Sequence, residues 1–270
     1  MVLVRSANMN IMMKAAQAAG RSLIRDFNEV EKLQISRKGP ADFVSQADQK
    51  AESIIHTQLK KARPDYDFLM EESGKIRATA NQKSDYCFII DPLDGTTNFI
   101  HGLGHFAVSI GLAFKDEIIA GCVYDPIKDE HFWAEKDKGA FLGSMRLRVA
   151  ERRQLKESIF ATGIPFLGRA QDNNGHQHYL NHLGHFMATT AGIRRFGAAA
   201  LDLCYVAAGR FDGYWESNLS DWDIAAGIII AKEAGATLTN LQGNGWQLGC
   251  DHLLCANSVI HPKALSLLQK

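Results

Sequence analysis

Charge excess is the first thing this sequence lacks. Thirty Lys plus Arg stand against thirty Asp plus Glu in 270 residues, so no bulk field draws the chain to nucleic acid or to an anionic membrane. Long apolar runs are missing too. Arg5, Asn8, Asn10 and Lys14 interrupt the N-terminal stretch, and no later run reaches the ~20 residues needed to span a bilayer, which argues against secretion and membrane insertion. The five cysteines, Cys87, Cys122, Cys204, Cys250 and Cys255, are odd in number and fall in no CxxC spacing. That excludes a disulfide framework and a zinc ribbon, and it suits a reducing cytoplasm. Low-complexity linkers and internal repeats are also absent. "HGLGH" (101–105) lacks the third glycine and the following helix of a dinucleotide loop. "MRLRVAERRQLK" (145–156) is locally basic without interleaved aromatics, so it reads as a solvated strand-and-turn edge.

The hydrophobic share, 46%, is enough for one large core, or for two intimate subdomains, residues 1–145 and 146–270, forming one compact unit. Apolar residues recur at helical spacing from Ser6 to Glu31, and a second helix runs from Asp48 to the break at Pro64. The middle changes character. "FAVSIGLAF", "EIIAGCVYDP", "EHFWAEK" and "GAFLG" are short β-rich runs joined by turn residues, as in an antiparallel meander. After Ser158 the pattern alternates: a strand in "SIFATG", a polar helix over 172–189, a helix in "AAALDLCYVAAG", a strand in "FDGYWE", a helix in "DWDIAAGIIIAKEAG" stopped by Gly235, and strands in "ATLTN" and "LLCAN". An α/β second half follows from that order.

The most informative stretch is "FIIDPLDGTTNFIHG" (88–102), read as a strand end followed by a turn. Pro92 biases Asp91 toward an extended backbone, Gly95 permits a shape other residues resist, and so Asp91 and Asp94 can converge. Carboxylate oxygens are hard ligands suited to Mg²⁺, which takes substrate phosphate oxygens as further ligands. Thr96 and Thr97 stand at the start of a short helix, where free backbone N–H groups favour an anion. A lone DxxDG is more often only a solvated turn. Here it has company: "DFLMEESG" ends a β-rich run in Glu71 and Glu72, and "DWDIAAG" places Asp223 at a helix start. Asp223 also stands at capping-box spacing from Ser220, and Asp48 can cap its own helix.

"GPADFVSQADQKAE", "EES", "DPLDGTTNF" and "DWDIAAG", in this order across nearly the whole chain, resemble the inositol monophosphatases of the Mg²⁺-dependent, lithium-sensitive phosphomonoesterase superfamily. That resemblance implies a layered α/β sandwich related to the sugar bisphosphatases, a homodimer, and two or three Mg²⁺ ions at each site. It implies metal ligation by Glu71, Asp91, Asp94 and Asp223 with the Leu93 carbonyl. Thr96, Asp48 and Glu71 match the groups that orient and deprotonate the attacking water. Gly95 and Thr96 match phosphate-binding N–H donors, Lys38 a basic residue near the metals, Glu216 an acid gripping substrate hydroxyls, and Gly197, Ala198 and Ala199 the loop along the sugar. The reaction implied is hydrolysis of inositol 1-phosphate by activated water without a covalent phospho-enzyme. Uncatalysed hydrolysis of such monoesters is so slow that enzymes supply up to ~10²¹-fold.

Departures from that pattern bear on substrate. Ser220 and Ala198 stand where many animal members carry histidine and threonine, which leaves fructose 1,6-bisphosphate and histidinol phosphate open as substrates. A mainly regulatory binding protein with a vestigial site is the alternative from another class, opposed by the cost of keeping unpaired buried carboxylates. His178, His182 and His185 share one helix face at i, i+4 and i+7. They are more simply polar helix residues than a transition-metal site, since no acid or cysteine completes the set.

Overall fold

The computed structural model describes residues 4–29, 35–37, 43–79, 83–165 and 175–270, with the segments 35–37 and 43–45 described as backbone only. Lys38 lies outside the described residues.

Helix α1 (Ala7–Phe27) begins where the Ser6 hydroxyl accepts the Met9 N–H, and it buries Met9, Met12, Ala16 and Leu23 along one stripe. Burying side chains of the size of Met or Leu contributes about 1.5–3 kcal/mol each, which fixes α1 to the sheet below. Two short strands, β1 (Ile35–Arg37) and β2 (Phe43–Ser45), pair antiparallel. Helix α2 (Gln46–Ala62) follows directly and packs beside α1.

Eight strands then form one sheet: β3 (Asp67–Met70), β4 (Gly74–Ile76), β5 (Tyr86–Asp94), β6 (Ala107–Phe114), β7 (Glu117–Asp125), β8 (Glu130–Glu135), β9 (Gly139–Leu142) and β10 (Met145–Arg146), in the order β10-β9-β8-β7-β6-β5-β3-β4. The expected meander is β6 through β9. Only the β3–β5 pair is parallel, with Met70 opposite Ile90. Both strands therefore finish at the same edge, and Glu71 donates its N–H to the Ile90 carbonyl at 3.2 Å. Strand β5 keeps Asp91 extended, as Pro92 implied, and does not yet give way to a turn there. It continues to Asp94 through a bulge, where the register to β6 slips between Asp91 and Asp94. A bulge is one of the few places a sheet interior tolerates proline.

The remaining strands, β11 (Ile159–Thr162), β12 (Gly192–Arg194), β13 (Gly213–Ser217), β14 (Ala236–Thr239) and β15 (His252–Asn257), make a second sheet in the order β12-β11-β13-β15-β14. Helices α5 (Ala199–Ala207) and α6 (Asp221–Glu233) fill the space between the sheets, while α4 (Gly175–Thr189) and α7 (His261–Leu268) cover the outer face of the second. The layers run α1/α2, first sheet, α5/α6, second sheet, α4/α7; one apolar core lies between α1/α2 and the first sheet, one surrounds α5/α6 and reaches both sheets, and one lies between the second sheet and α4/α7. Close approach of α6 depends on two glycines beneath it. A Cβ on Gly121 would lie 2.6 Å from Ile229 Cγ2, and one on Gly111 would lie 3.0 Å from the Ala225 Cβ. The sequence reading contained neither α7 nor β4. Among the described residues no helix is long and apolar enough to cross a membrane.

Candidate active site

Where β3 and β5 end, a pocket of about 120 Å³ opens between the two sheets. Glu71, Asp91, Leu93, Asp94, Gly95 and Thr96 line it from the first sheet. Asp223 enters from the start of α6, and Glu216 from β13 on the opposite wall. Gly197, Ala198 and Ala199 close a third side ahead of α5. Of the residues singled out in the sequence, Asp48 stands one layer back. It is buried on α2, and its charge is felt by Asp91.

Local structure explains each position. Asp91 Oδ1 accepts the Leu93 N–H at 2.9 Å, closing an Asx turn that shapes the bulge. Gly95 then takes φ 97°, the left-handed region, and a Cβ there would meet the His105 carbonyl at 3.0 Å. Helix α3 (Thr96–Ile100) starts immediately after it. The Thr96 hydroxyl donates to the Leu93 carbonyl at 2.9 Å. The same oxygen was assigned by resemblance to a metal, so the hydroxyl holds in place the group that would serve as ligand. Asp223 Oδ2 accepts the Ser220 N–H at 2.7 Å, so the capping reading and the pocket position both hold. Asp94 accepts two amides at the start of α5, from Ala199 at 3.2 Å and Ala200 at 2.8 Å.

Electrostatics here are dominated by repulsion. Burial first, then the charges of Glu71, Asp94, Asp223 and Asp48, push Asp91 well above the usual carboxylate range. Asp94 is raised by burial and by Asp223, against the pull of the Ala200 and Ala199 amides. Among the described residues no three His, Cys, Asp or Glu side chains form a closed metal cage as they stand. Asp91, Asp94 and Asp223 each direct an oxygen to backbone amides. The donor set is all oxygen, anionic and mutually repelling, and it fits hard divalent cations such as Mg²⁺ better than zinc or copper.

One consequence is measurable. A folded-state pKa raised above the unfolded value, ~3.9 for Asp, contributes stability below that value and loses it as pH rises through the folded pKa. The acid cluster of the metal-free protein therefore contributes less stability at pH 8 than at pH 5, and Asp91→Asn should raise the melting midpoint more at pH 8 than at pH 5. Mg²⁺ should raise the midpoint more at pH 8, where the carboxylates are ionised. Calorimetry giving equal Mg²⁺ effects at both values would contradict this account of the acids.

Several contributors were not read from the sequence. Gly163, just after β11, has no side chain because Glu216 occupies the space: a Cβ would lie 1.7 Å from Glu216 Oε1. Tyr214, buried on β13, donates to Glu216 Oε2 at 2.7 Å and fixes that side chain. Asn98 on α3 donates to the His105 and Phe196 carbonyls, both at 2.8 Å, and ties the 195–198 loop to the first sheet. Arg195 lines the pocket, and its Nη1 would meet a Cβ on Gly197 at 2.4 Å. Asp202, buried on α5, is pushed well above its usual range by burial and by Glu216 and Asp94. Glycine at a strand end and the paired arginines were the available signals; the hydrogen bonds join distant segments and left no local pattern. The histidines of α4 separate: His178 and His182 rings lie 4.2 Å apart, while His185 Nδ1 faces the Leu267 carbonyl at 2.9 Å.

A family model described as the inositol monophosphatase family matches residues 5–270. The inositol-1-monophosphatase of Rhizobium meliloti (strain 1021) is 48% identical over 268 residues, covering 99% of this chain and 98% of that protein. The Nus factor SuhB of Pseudomonas aeruginosa is 40% identical over 261 residues, covering 97% and 95%. Among solved structures, the extragenic suppressor protein SuhB from Bartonella henselae superposes with TM-score 0.93 at 52% identity, covering 98% of this chain and 99% of that one. The inositol monophosphatase of Thermotoga maritima gives 0.86 at 30% identity, covering 98% and 97%. The five layers and the acid-lined pocket between the sheets are those of a layered α/β phosphatase. The chain belongs to the inositol monophosphatase family.

Proposed function

We propose that this protein hydrolyses a phosphate monoester with Mg²⁺, and that inositol 1-phosphate is its substrate. The observation carrying this reading is the convergence of Glu71, Asp91, Asp94 and Asp223 in one pocket with Glu216 on the facing wall. Those four carboxylates and the Leu93 carbonyl would hold the metal, as two or three ions. Bound Mg²⁺ supplies the charge neutralisation and water activation that attack on a phosphate dianion requires. The residues do the rest. Gly95 and Thr96, at the unbonded start of α3, present N–H groups to the phosphate. Glu71, with Thr96 and the buried Asp48 behind, orients the attacking water and draws its proton. Glu216, fixed by Tyr214, accepts from substrate hydroxyls, and the 197–199 loop lies along the ring.

Phosphate release from inositol 1-phosphate, fructose 1,6-bisphosphate, histidinol phosphate and adenosine 3′,5′-bisphosphate, each with and without Mg²⁺, tests the reading. Metal-dependent release with inositol 1-phosphate preferred is the expected result; release from none of them would favour the regulatory alternative. The relatives named Nus factor SuhB keep that alternative in view, but the complete acid set supports catalysis, because buried like charges are costly to retain unused.

Two further results are expected. Glu216→Gln should lower kcat/KM for inositol 1-phosphate by about 10²-fold or more and spare p-nitrophenyl phosphate, because a hydroxyl-gripping acid is idle where no hydroxyl exists. Equal losses on both would place Glu216 in the catalytic centre. Lithium should inhibit uncompetitively toward substrate, since a singly charged ion of similar size can replace an exchangeable Mg²⁺ near Asp91, Asp94 and Asp223 after turnover. Insensitivity at Li⁺ far above the Mg²⁺ concentration would remove the exchangeable-site model.

A further inference from the structure

At the opposite end of α6 from Asp223, a second cavity of about 490 Å³ opens between that helix, the start of β7 and the segment 236–248. It shares no lining residue with the acid pocket. Its volume falls in the range usual for small-molecule sites. Ile118, Ile228, Ile229, Leu238, Trp246 and Leu248 make its walls. The Trp246 ring is held by its own N–H, which donates to the Cys250 carbonyl at 3.2 Å.

Three charged residues stand at the rim: Asp116, Glu117 and Lys232. Both acids are matched by lysines from outside the cavity, Asp116 by Lys83 at 2.8 Å and Glu117 by Lys136 at 2.7 Å. Lys232 is exposed, on the last turn of α6. The apolar walls call for a hydrocarbon or aromatic body, and the paired acids leave the lysine to select the sign of its head group.

We propose that this cavity binds a small carboxylate with an apolar body, its skeleton against Ile228, Ile229, Leu238 and the Trp246 ring, its carboxylate at Lys232. The site is independent of the acid pocket, and it stands or falls apart from the reading of the hydrolytic reaction.

Calorimetric titration of the whole protein with octanoate, octylammonium and octanol tests this, with the four indole N–H signals followed by NMR and that of Trp246 assigned from Trp246→Phe. Octanoate should bind saturably and shift the Trp246 signal. It should bind about two- to fivefold more tightly than octylammonium, the scale of one exposed ion pair. Lys232→Glu should reverse that order, and Lys232→Gln should bring the two ligands close to each other. Absence of saturable octanoate binding would overturn the proposal. So would an unchanged preference in Lys232→Glu, or displacement of octanoate by inorganic phosphate, which would place it in the acid pocket.

Discussion

Asp94→Asn is expected to lower phosphate release by at least about 10³-fold, because one neutral atom replaces an anionic oxygen at the centre of the charge that phosphoryl transfer requires. The fold should survive. Asp94 is buried and accepts the amides of Ala199 and Ala200, and asparagine keeps one of its two acceptors. The lost amide bond costs about 1–2 kcal/mol, but the substitution also removes one of the buried charges that raise Asp91. Circular dichroism should therefore match the parent, with the thermal midpoint of the metal-free variant within a few degrees. Near-normal turnover at saturating Mg²⁺ would show that Asp94 is not part of the metal centre.

Gly163→Ala is expected to reproduce the loss seen on changing Glu216, although it leaves every acid in place. An added methyl would sit 1.7 Å from Glu216 Oε1 and 1.9 Å from its Cδ, so the carboxylate must leave its position. Tyr214 then loses its acceptor inside the core, at a cost of about 1–3 kcal/mol. We expect kcat/KM for inositol 1-phosphate to fall by about 10²-fold and p-nitrophenyl phosphate to be nearly spared. Combined with Glu216→Gln, the second change should add little, since residues in contact are not additive. Additive losses in the double variant would separate Gly163 from Glu216.

Much of the architecture was legible because its periodicities are local. The meander showed in β-rich runs between turn residues, and α6 in an apolar run bounded by Asp221 and Gly235. The turn was expected too early in "IIDPLDGTT" because the stretch after Asp91 carries turn residues, and only pairing with β6 reveals a bulge that carries β5 to Asp94. Helix α7 escaped because it is only two turns long, although the proline at its start is a helix-opening signal. The acid set was legible as strand-end and helix-start carboxylates, but its meeting in one pocket came from the family resemblance. Tyr214 and Asn98 were not legible, and Gly163 showed only as a glycine at a strand end: each acts through a contact between segments far apart in the chain, where the one-dimensional pattern is silent.

The parallel pairing of β3 with β5 delivers the acids from one sheet, while Glu216 and Gly163 come from the other. Substitutions in β11, β13 and the 197–199 loop therefore reshape the wall that meets the substrate's hydroxyls while leaving the edge that carries Glu71, Asp91 and Asp94 as it is. Asp223 is the exception, for its helix touches both sheets. A change of substrate preference is thus a matter for the second sheet, whereas a change at the start of α6 disturbs both walls at once.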